Sequence, residues 1–211
     1  MKRILCFGDS NTYGYKPDGT GRYDENIRWT ARVQRRLGEN YQVVEEGLCG
    51  RTTIFEDALR TGRRGVDLVG TLVETHNPID VFVVMLGTND CKTRYGASAG
   101  VIAKGMEQVV AQACLKASKE MKILVISPIV LGRGIGEEGY DIEFDVHSEE
   151  ESARLGEEYA GIARKNNFYY LDASKYADSS SIDREHLDAT GHEKLAEAIY
   201  DKLTEILEVN L

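Results

Sequence analysis

Three short motifs in this chain contain side chains that can carry out acyl transfer. Gly8-Asp9-Ser10 supplies a hydroxyl that could act as a nucleophile, and Gly87-Thr88-Asn89-Asp90 supplies an amide that could donate a hydrogen bond. Asp183-Arg184-Glu185-His186 pairs a carboxylate with an imidazole. A serine nucleophile needs a general base, and the tetrahedral intermediate needs hydrogen-bond donors at its oxyanion. Together the motifs contain the side-chain types that acyl transfer through a serine requires.

The spacing in the third motif has a specific chemical meaning. Asp183 precedes His186 by three residues, which lets its carboxylate reach the imidazole Nδ1–H within one turn of chain. That contact would select the tautomer and stabilise the imidazolium, leaving Nε2 free to act as a general base. Taken alone, this motif fits a solvated acidic loop with an incidental histidine better than it fits a catalytic pair.

The first two motifs are weak signals when each is taken alone. A Gly-Asp-Ser turn after a strand is a common loop, and Asn89 and Asp90 could simply bond their own backbone in a turn. Their combination is more specific, because the order Ser, Asn, Asp, His along the chain places every motif beside the end of a predicted strand or the start of the last helix. The predicted sheet must therefore bring them together.

Short β-rich runs alternate with helical patterns along the whole chain. The predicted strands are Arg3–Phe7, Gln42–Glu45, Val81–Leu86, Lys122–Ser127 and Phe168–Leu171. The predicted helices are Trp29–Leu37, Gly65–His76, Ala99–Lys119, Glu149–Lys165 and Ala189–Leu207. Nearly continuous apolar strands are typical of a parallel sheet covered on both faces. The alternation predicts one three-layer α/β/α domain, residues 1–211, around a five-stranded parallel sheet.

Helix boundaries and one long connection follow from local composition. Ser148-Glu149-Glu150-Glu151 resembles a capping box, and Asp188 is the expected N-cap of the last helix. The segment Leu131–His147 is glycine-rich, then acidic, and too long for a tight turn between a helix and a strand. We expect it to run over the surface beside the strand ends, where ligands sit in open α/β sheets.

The motifs and their order resemble those of the SGNH, or GDSL-type, hydrolases, and the resemblance covers nearly the whole chain. A further match is the segment from Glu45 to Thr53, in which the family's glycine donor falls on Gly50, while Asn11 stands where the family name has leucine. Arg28-Trp29-Thr30 and Met85-Leu86 before Gly87 are most similar to the bacterial aryl esterase and acyltransferase (perhydrolase-like) branch.

This resemblance implies a flavodoxin-like fold and a particular set of site residues. Ser10, Asp183 and His186 would be catalytic, and the backbone N–H groups of Ser10 and Gly50 with the Asn89 side chain would form the oxyanion hole. The expected activity is hydrolysis of small acetyl or aryl esters, with acyl transfer as an additional activity. A carbohydrate acetyl-ester deacetylase and a non-catalytic, anion-binding flavodoxin-like module are the alternatives. Family members in this branch often form oligomers, so a homo-oligomer is also expected.

Three other patterns are poorer candidates for function. Gly96-Ala97-Ser98-Ala99-Gly100 matches the G-x-S-x-G elbow, but the polar residues before it do not predict the required strand, and Ser98 fits better as an N-cap. Gly134–Gly139 matches G-x-G-x-x-G but does not follow a strand directly, and its two glutamates would repel a pyrophosphate. The two histidines His186 and His192 are six apart and would not share a helix face, so neither a metal nor a cofactor is expected.

Composition excludes several classes of partner and location. The formal net charge is −9, which disfavours nucleic acids and anionic membranes. The N-terminal apolar run of four residues is shorter than the roughly 7–15 of a secretory signal, and no segment reaches the roughly 20 apolar residues of a membrane span. The chain is therefore expected to be cytoplasmic, with its four cysteines reduced and a small-molecule ester as its partner.

Overall fold

The computed structural model describes residues 1–208 and contains one five-stranded parallel sheet. The strands are β1 (Lys2–Gly8), β2 (Tyr41–Gly47), β3 (Val81–Met85), β4 (Lys122–Ser127) and β5 (Tyr169–Asp172). Their order in the sheet is β2-β1-β3-β4-β5, the flavodoxin-like order. The predicted fold class is confirmed.

Helices cover both faces of this sheet. They are α1 (Ser10–Tyr13), α2 (Trp29–Leu37), α3 (Gly65–His76), α4 (Ala99–Lys116), α5 (Val146–Asn166) and α6 (Ala189–Leu207), and two 3₁₀ turns span Asn89–Cys91 and Ala173–Lys175. None of the helices formed by residues 1–208 is both long enough and apolar enough to cross a membrane.

Alternation along the strands divides the core into two layers. In β1, Leu5 and Phe7 pack with α3, α4 and α5, whereas Ile4 and Cys6 pack with α2 and α6. Successive side chains of a strand point to opposite faces of the sheet, so a fully apolar strand contributes side chains to both layers of the core. The central strand β3 is buried at all five positions for this reason.

The capping box predicted at Ser148 is wrong by three residues. Helix α5 begins at Val146, and Asp145 is its N-cap. The Asp145 side chain accepts a hydrogen bond from the Ser148 backbone N–H at 2.9 Å, while the Ser148 hydroxyl receives the Asp145 N–H at 3.1 Å. In the usual capping box a serine or threonine is the N-cap and a glutamate or glutamine stands at the third helical position. Here the acidic residue is the N-cap and the serine stands third, and the same two backbone N–H groups are satisfied.

The predicted bounds of β4, α2, α3 and α6 are confirmed, and those of the other elements differ by at most three residues at either end. Helix α4 ends at Lys116 and not at Lys119, because the Ser118 N–H turns away to bond the Asn77 side chain at 3.1 Å. Helix α6 has the predicted bounds, and Asp188 is its N-cap, accepting from the Gly191 N–H at 2.7 Å. That cap places the turn before α6, which contains His186, at the carboxyl edge of the sheet.

Candidate active site

Ser10 is held at the carboxyl end of β1 by a turn that only glycine permits. A Cβ atom at Gly8 would lie 2.1 Å from the Thr12 hydroxyl oxygen and 2.8 Å from the Met85 carbonyl oxygen. Asp9 caps the short helix α1 by accepting the Asn11 N–H at 3.0 Å. The turn therefore presents the Ser10 hydroxyl at the edge of a cleft, where the residue keeps 4% of its surface exposed.

The structure brings Ser10, His186 and Asp183 into a continuous hydrogen-bonded chain. Ser10 Oγ lies 2.9 Å from His186 Nε2, and His186 Nδ1 lies 2.6 Å from Asp183 Oδ2. Residues 176 positions apart in sequence are thus in direct contact. In this arrangement Nε2 can accept the serine proton while the carboxylate holds the proton on Nδ1.

The loop that carries His186 is ordered by its own backbone. The second oxygen of Asp183 accepts the N–H groups of Glu185 and His186 at 3.1 and 3.0 Å. The Ser180 N–H donates to the His186 carbonyl at 2.7 Å, and the Tyr15 ring packs on the imidazole with centroids 4.8 Å apart. These contacts fix the orientation of the imidazole.

Asn11 joins the serine turn to the histidine loop. Its Oδ1 accepts the Leu187 N–H at 2.9 Å, and its Nδ2 donates to the Glu185 carbonyl at 3.4 Å. The Asn11 carbonyl in turn accepts the Trp29 indole N–H at 3.1 Å. From the sequence, this departure from the family pattern is expected to have no part in the mechanism, but the Asn11 side chain bonds the loop that carries His186.

The candidate oxyanion donors lie on the other side of Ser10. Asn89 opens the 3₁₀ turn after β3, and its amide donates to the Arg51 carbonyl at 3.2 Å. Gly50 has a φ of +83°, in the left-handed region that favours glycine, and it lines the same cavity as Ser10 and Asn89. The loops after β1, β2 and β3 therefore converge on one point.

The cleft around Ser10 is a cavity of about 400 Å³ whose wall includes six charged side chains. It is lined by Ser10, Tyr15, Pro17, Cys49, Gly50, Arg60, Asn89, Lys92, Asp141, Glu143, Asp183, Glu185 and His186. Asp141 and Glu143 come from the long segment after β4, which lies beside the strand ends as predicted. A larger cavity, of about 670 Å³, lies at the opposite edge of the sheet around Met121 and Lys122, away from these motifs.

Arg184 fastens that long segment to the histidine loop. Its guanidinium donates to the Gly134 carbonyl at 2.5 Å, pairs with Glu137 at 2.9 Å and stacks on the Tyr140 ring at 3.7 Å. The Arg184 backbone has a φ of +62°, which is rare for a residue with a side chain. Arg184 therefore links the segment that forms one wall of the cavity to the loop that carries His186.

Burial and neighbouring charges shift the pKa values of the site's acids and base. Burial alone would lower the pKa of His186, but the Glu185 charge and the Asp183 hydrogen bond outweigh it and hold that pKa above its usual value. Burial raises the pKa of Glu185, and it raises the pKa of Asp9 to about 7. Burial also raises the pKa of Asp90 to about 6, although Thr53 donates two hydrogen bonds to that carboxylate.

The three rival patterns occupy other surroundings. No strand precedes Ser98, which lies at the N-terminus of α4 without a side-chain capping bond. Gly134–Gly139 is a run of turns in which Glu149 accepts the N–H groups of Gly134 and Ile135. His192 is fully buried, with its Nδ1 accepting the Trp29 N–H at 3.4 Å. Within residues 1–208 no three His, Cys, Asp or Glu residues are grouped as metal ligands would be.

Two lining residues that the sequence analysis did not single out are Lys92 and Glu185. Lys92 follows the Asn89 turn and is 7% exposed, with its ammonium 2.5 Å from Glu143. Glu185 is 8% exposed although it lies inside the Asp183–His186 motif. A polar sequence such as Asp-Arg-Glu-His is typical of an exposed loop, so only the position of Glu185 immediately before His186 could have drawn attention to it.

Comparison with known proteins identifies the class to which this site belongs. Residues 6–194 match the model of the GDSL-like lipase/acylhydrolase family, so the chain belongs to this family and is a serine ester hydrolase. The family resemblance read from the motifs is confirmed. No curated protein matches the chain significantly.

Solved structures agree with this assignment. The M. smegmatis aryl esterase is 29% identical with a TM-score of 0.90, over 97% of this chain and 99% of that one. Est24, a carbohydrate acetylesterase from Sinorhizobium meliloti, is 31% identical with a TM-score of 0.90, over 98% and 100% of the two chains. A member of the lipolytic G-D-S-L family from Veillonella parvula, 16% identical with a TM-score of 0.70 over the full length of both chains, shares the fold.

Proposed function

We propose that this enzyme hydrolyses esters of small carboxylic acids through an acyl-enzyme on Ser10. The observation that carries the proposal is the 2.9 Å contact between Ser10 Oγ and His186 Nε2, backed by the 2.6 Å contact from Nδ1 to Asp183. A serine is a weak nucleophile unless a neighbouring base removes its proton, and this geometry supplies that base.

In the first half-reaction, Ser10 Oγ attacks the ester carbonyl carbon as its proton moves to His186 Nε2. The tetrahedral intermediate then collapses, the bond to the alcohol oxygen breaks, and the imidazolium returns its proton to that oxygen. Asp183 remains ionised and stabilises the imidazolium. In the second half-reaction, water takes the place of the departed alcohol, and its oxygen attacks the acyl carbon as its proton moves to Nε2. The bond from that carbon to Ser10 Oγ then breaks, and Nε2 returns the proton to Oγ, which releases the acid and free Ser10.

We assign the oxyanion hole to the backbone N–H groups of Ser10 and Gly50 and to the Asn89 side chain. All three residues line the cavity, and Asn89 already directs its amide nitrogen to a carbonyl 3.2 Å away at that site. Donors that are in place before the reaction stabilise developing charge without reorganisation, and each contributes roughly 3–4 kcal/mol.

A short acyl group and a polar alcohol suit this cleft. Its volume of about 400 Å³ is at the small end of ligand pockets, and five of its lining residues besides Ser10, Asp183 and His186 are charged. Activity on small aryl esters would match the activity named for the M. smegmatis aryl esterase. Acyl transfer to alcohols as an additional activity stays a prediction. The charged wall also favours a second candidate, an acetyl ester of a carbohydrate, which is the substrate class named for Est24.

A non-catalytic, anion-binding module is the weaker explanation of the same motifs. An anion held at the Ser10 turn would face the carboxylates of Asp183 and Glu185, and it would not need a base beside the hydroxyl. Three expectations stay predictions: one domain over residues 1–211, a homo-oligomer and a cytoplasmic location.

Turnover of p-nitrophenyl acetate by three variants tests the proposal. Ser10→Ala and His186→Ala should each lower kcat by at least about 1,000-fold, because members of a catalytic triad act as a unit. Ser98→Ala is the matched control, since it removes the serine of the rival motif, and it should keep wild-type activity. Retention of most activity by Ser10→Ala would overturn the proposal.

A substrate panel then separates the candidates. Acyl chains from acetyl to octanoyl on one alcohol should show a steep fall beyond the shortest members. Acetyl esters of a phenol and of a monosaccharide, compared at equal concentration, decide between an aryl esterase and a carbohydrate deacetylase.

A further inference from the structure

Glu185 stands out in the cleft because, among residues 1–208, its carboxylate contacts a basic group only at His186 Nε2, which is 3.7 Å away. The residue is more than nine-tenths buried, and it lines the cavity that contains Ser10. Neither of its side-chain oxygens accepts a hydrogen bond from any group in the part of the chain described, residues 1–208. A carboxylate that lines a cavity and accepts no hydrogen bond from the chain is available to a donor group of a bound molecule.

The position of this carboxylate relates it to one half of the substrate. Glu185 Oε1 lies 3.7 Å from His186 Nε2, the atom that returns the proton to the leaving alcohol. The alcohol oxygen must come within hydrogen-bonding distance of Nε2, whereas the acyl oxygen points to Gly50 and Asn89. Glu185 therefore borders the alcohol side of the cleft and not the acyl side.

Other charges around Glu185 leave its acceptor capacity free. The Lys92 ammonium also faces the cavity, but it is engaged by Glu143 at 2.5 Å. Asp141 lines the same wall, and Asp183 is committed to the His186 ring and backbone. The charged lining comprises Arg60, Lys92, Asp141, Glu143, Asp183 and Glu185, two cations against four carboxylates. An anionic alcohol would meet a net negative wall.

We infer that Glu185 is a specificity-determining residue that accepts a hydrogen bond from the alcohol half of the substrate, selecting alcohols that carry an additional hydroxyl or ammonium group and rejecting anionic ones. The inference rests on the proposed esterase function. It goes beyond that function by assigning the selection of the alcohol to one side chain of this chain.

The same contact acts in the second half-reaction. The incoming nucleophile occupies the place that the leaving alcohol vacated, so Glu185 also selects the acceptor. When a polyol replaces water, its O–H proton moves to Nε2 and its oxygen bonds the acyl carbon. The bond from that carbon to Ser10 Oγ then breaks, and the proton returns to Ser10. Polyols such as glycerol are thus expected to compete with water better than simple alcohols do.

Two acetyl esters of equal size provide the test. Propyl acetate and 2-hydroxyethyl acetate differ by a terminal methyl against a hydroxyl, and acetoxyacetate adds an anionic member. The ratio of kcat/KM for 2-hydroxyethyl acetate over propyl acetate is measured in wild type, Glu185→Gln and Glu185→Met. Comparing ratios between enzymes cancels the intrinsic reactivity of each ester.

The inference predicts that this ratio falls about tenfold in Glu185→Met and by less in Glu185→Gln, whose amide oxygen still accepts. Relative activity on acetoxyacetate should rise in both variants, because each removes a negative charge. Glu150→Gln, an exposed glutamate of α5, is the matched control and should leave all ratios unchanged. A thermal melt of each variant checks that it is folded.

The outcomes distinguish failure of the inference about Glu185 from failure of the proposed esterase function. If turnover depends on Ser10 but the ratios of both Glu185 variants stay within twofold of wild type, the inference is wrong and the proposed function stands. If turnover of all three esters is independent of Ser10, both are wrong.

Discussion

The side chain of Asn11 accepts the backbone N–H of Leu187 at 2.9 Å, joining the serine turn to the loop that carries the base. The bond connects the residue after Ser10 with the residue after His186. It therefore links the position of the imidazole to that of the serine hydroxyl.

Replacing Asn11 with leucine should impair both activity and stability. The buried Leu187 N–H would lose its acceptor, at a cost of about 1–3 kcal/mol in the free energy of unfolding. A small shift of the imidazole from Ser10 should lower kcat/KM by about 10–100-fold. Urea denaturation and steady-state kinetics measure the two effects.

Asn40→Leu is the control for this substitution, because Asn40 is an exposed asparagine far from the cleft. Wild-type kcat/KM in Asn11→Leu would show that the bond does not position the base.

The pH dependence of kcat/KM should report the raised pKa of His186. The imidazole acts as a base only when neutral, so activity rises with pH through its pKa. Because Glu185 and Asp183 hold that pKa above the usual 6.5, the midpoint of the acidic limb should also lie above 6.5. Glu185→Gln removes one of these charges and should move the midpoint to lower pH. A midpoint below 6.5 in wild type, or one that does not move in the variant, contradicts this explanation.

Substitution of Asn89 by alanine should act on the transition state and not on substrate binding. The amide would meet the oxyanion fully only after attack, so kcat should fall about 100–1,000-fold with a much smaller change in KM. Asn166→Ala is a suitable comparison, since Asn166 lies at the end of α5 and bonds Glu107 at 2.9 Å. A large rise in KM with kcat preserved would instead assign Asn89 to ground-state binding.

His192 should make the fold sensitive to acid. Burial, together with nearby Arg32, lowers its pKa to about 4 from a usual value of 6.5. Between these values the unfolded chain binds more protons than the folded one, so stability falls as pH falls. The expected loss from this residue between pH 7 and pH 5 is about 2 kcal/mol.

The contribution of His192 is isolated by comparison with His192→Asn, whose Oδ1 can still accept the Trp29 N–H. Asp9 and Asp90 act in the opposite direction, because carboxylates with raised pKa values bind protons more readily when folded. Urea denaturation at pH 7 and pH 5 should therefore show a smaller loss, or a larger gain, for the variant than for wild type. Equal changes in the two proteins would show that folding does not lower the pKa of His192.

The parts of this structure that the sequence could predict are those governed by local chemistry. Apolar runs such as Val81–Met85 predict buried strands, and parallel strands bring their carboxyl ends to one edge. The separation of three residues between Asp183 and His186 predicts a contact that the structure places at 2.6 Å. The order of the strands follows from the family resemblance and not from the motifs themselves.

The features that could not be predicted depend on contacts between distant segments. Asn11 meets Leu187 across 176 positions, and nothing in the local sequence indicates that pairing. The burial of Glu185 results from the segment after β4, which Arg184 fastens over the histidine loop. The predicted start of α5 is wrong because Asp145 is the N-cap and Ser148 stands at the third helical position, whereas the usual capping box has serine as the N-cap.

The central claim is that Ser10 is the nucleophile, and labelling with a fluorophosphonate tests it most directly. The reagent forms a covalent adduct with a serine only when a base activates it, and mass spectrometry of the peptides locates the adduct. We expect one adduct per chain, on Ser10, that is absent in Ser10→Ala, forms much more slowly in His186→Ala and is unchanged in Ser98→Ala. An adduct on Ser98 or another serine, or undiminished labelling of Ser10→Ala, would contradict it.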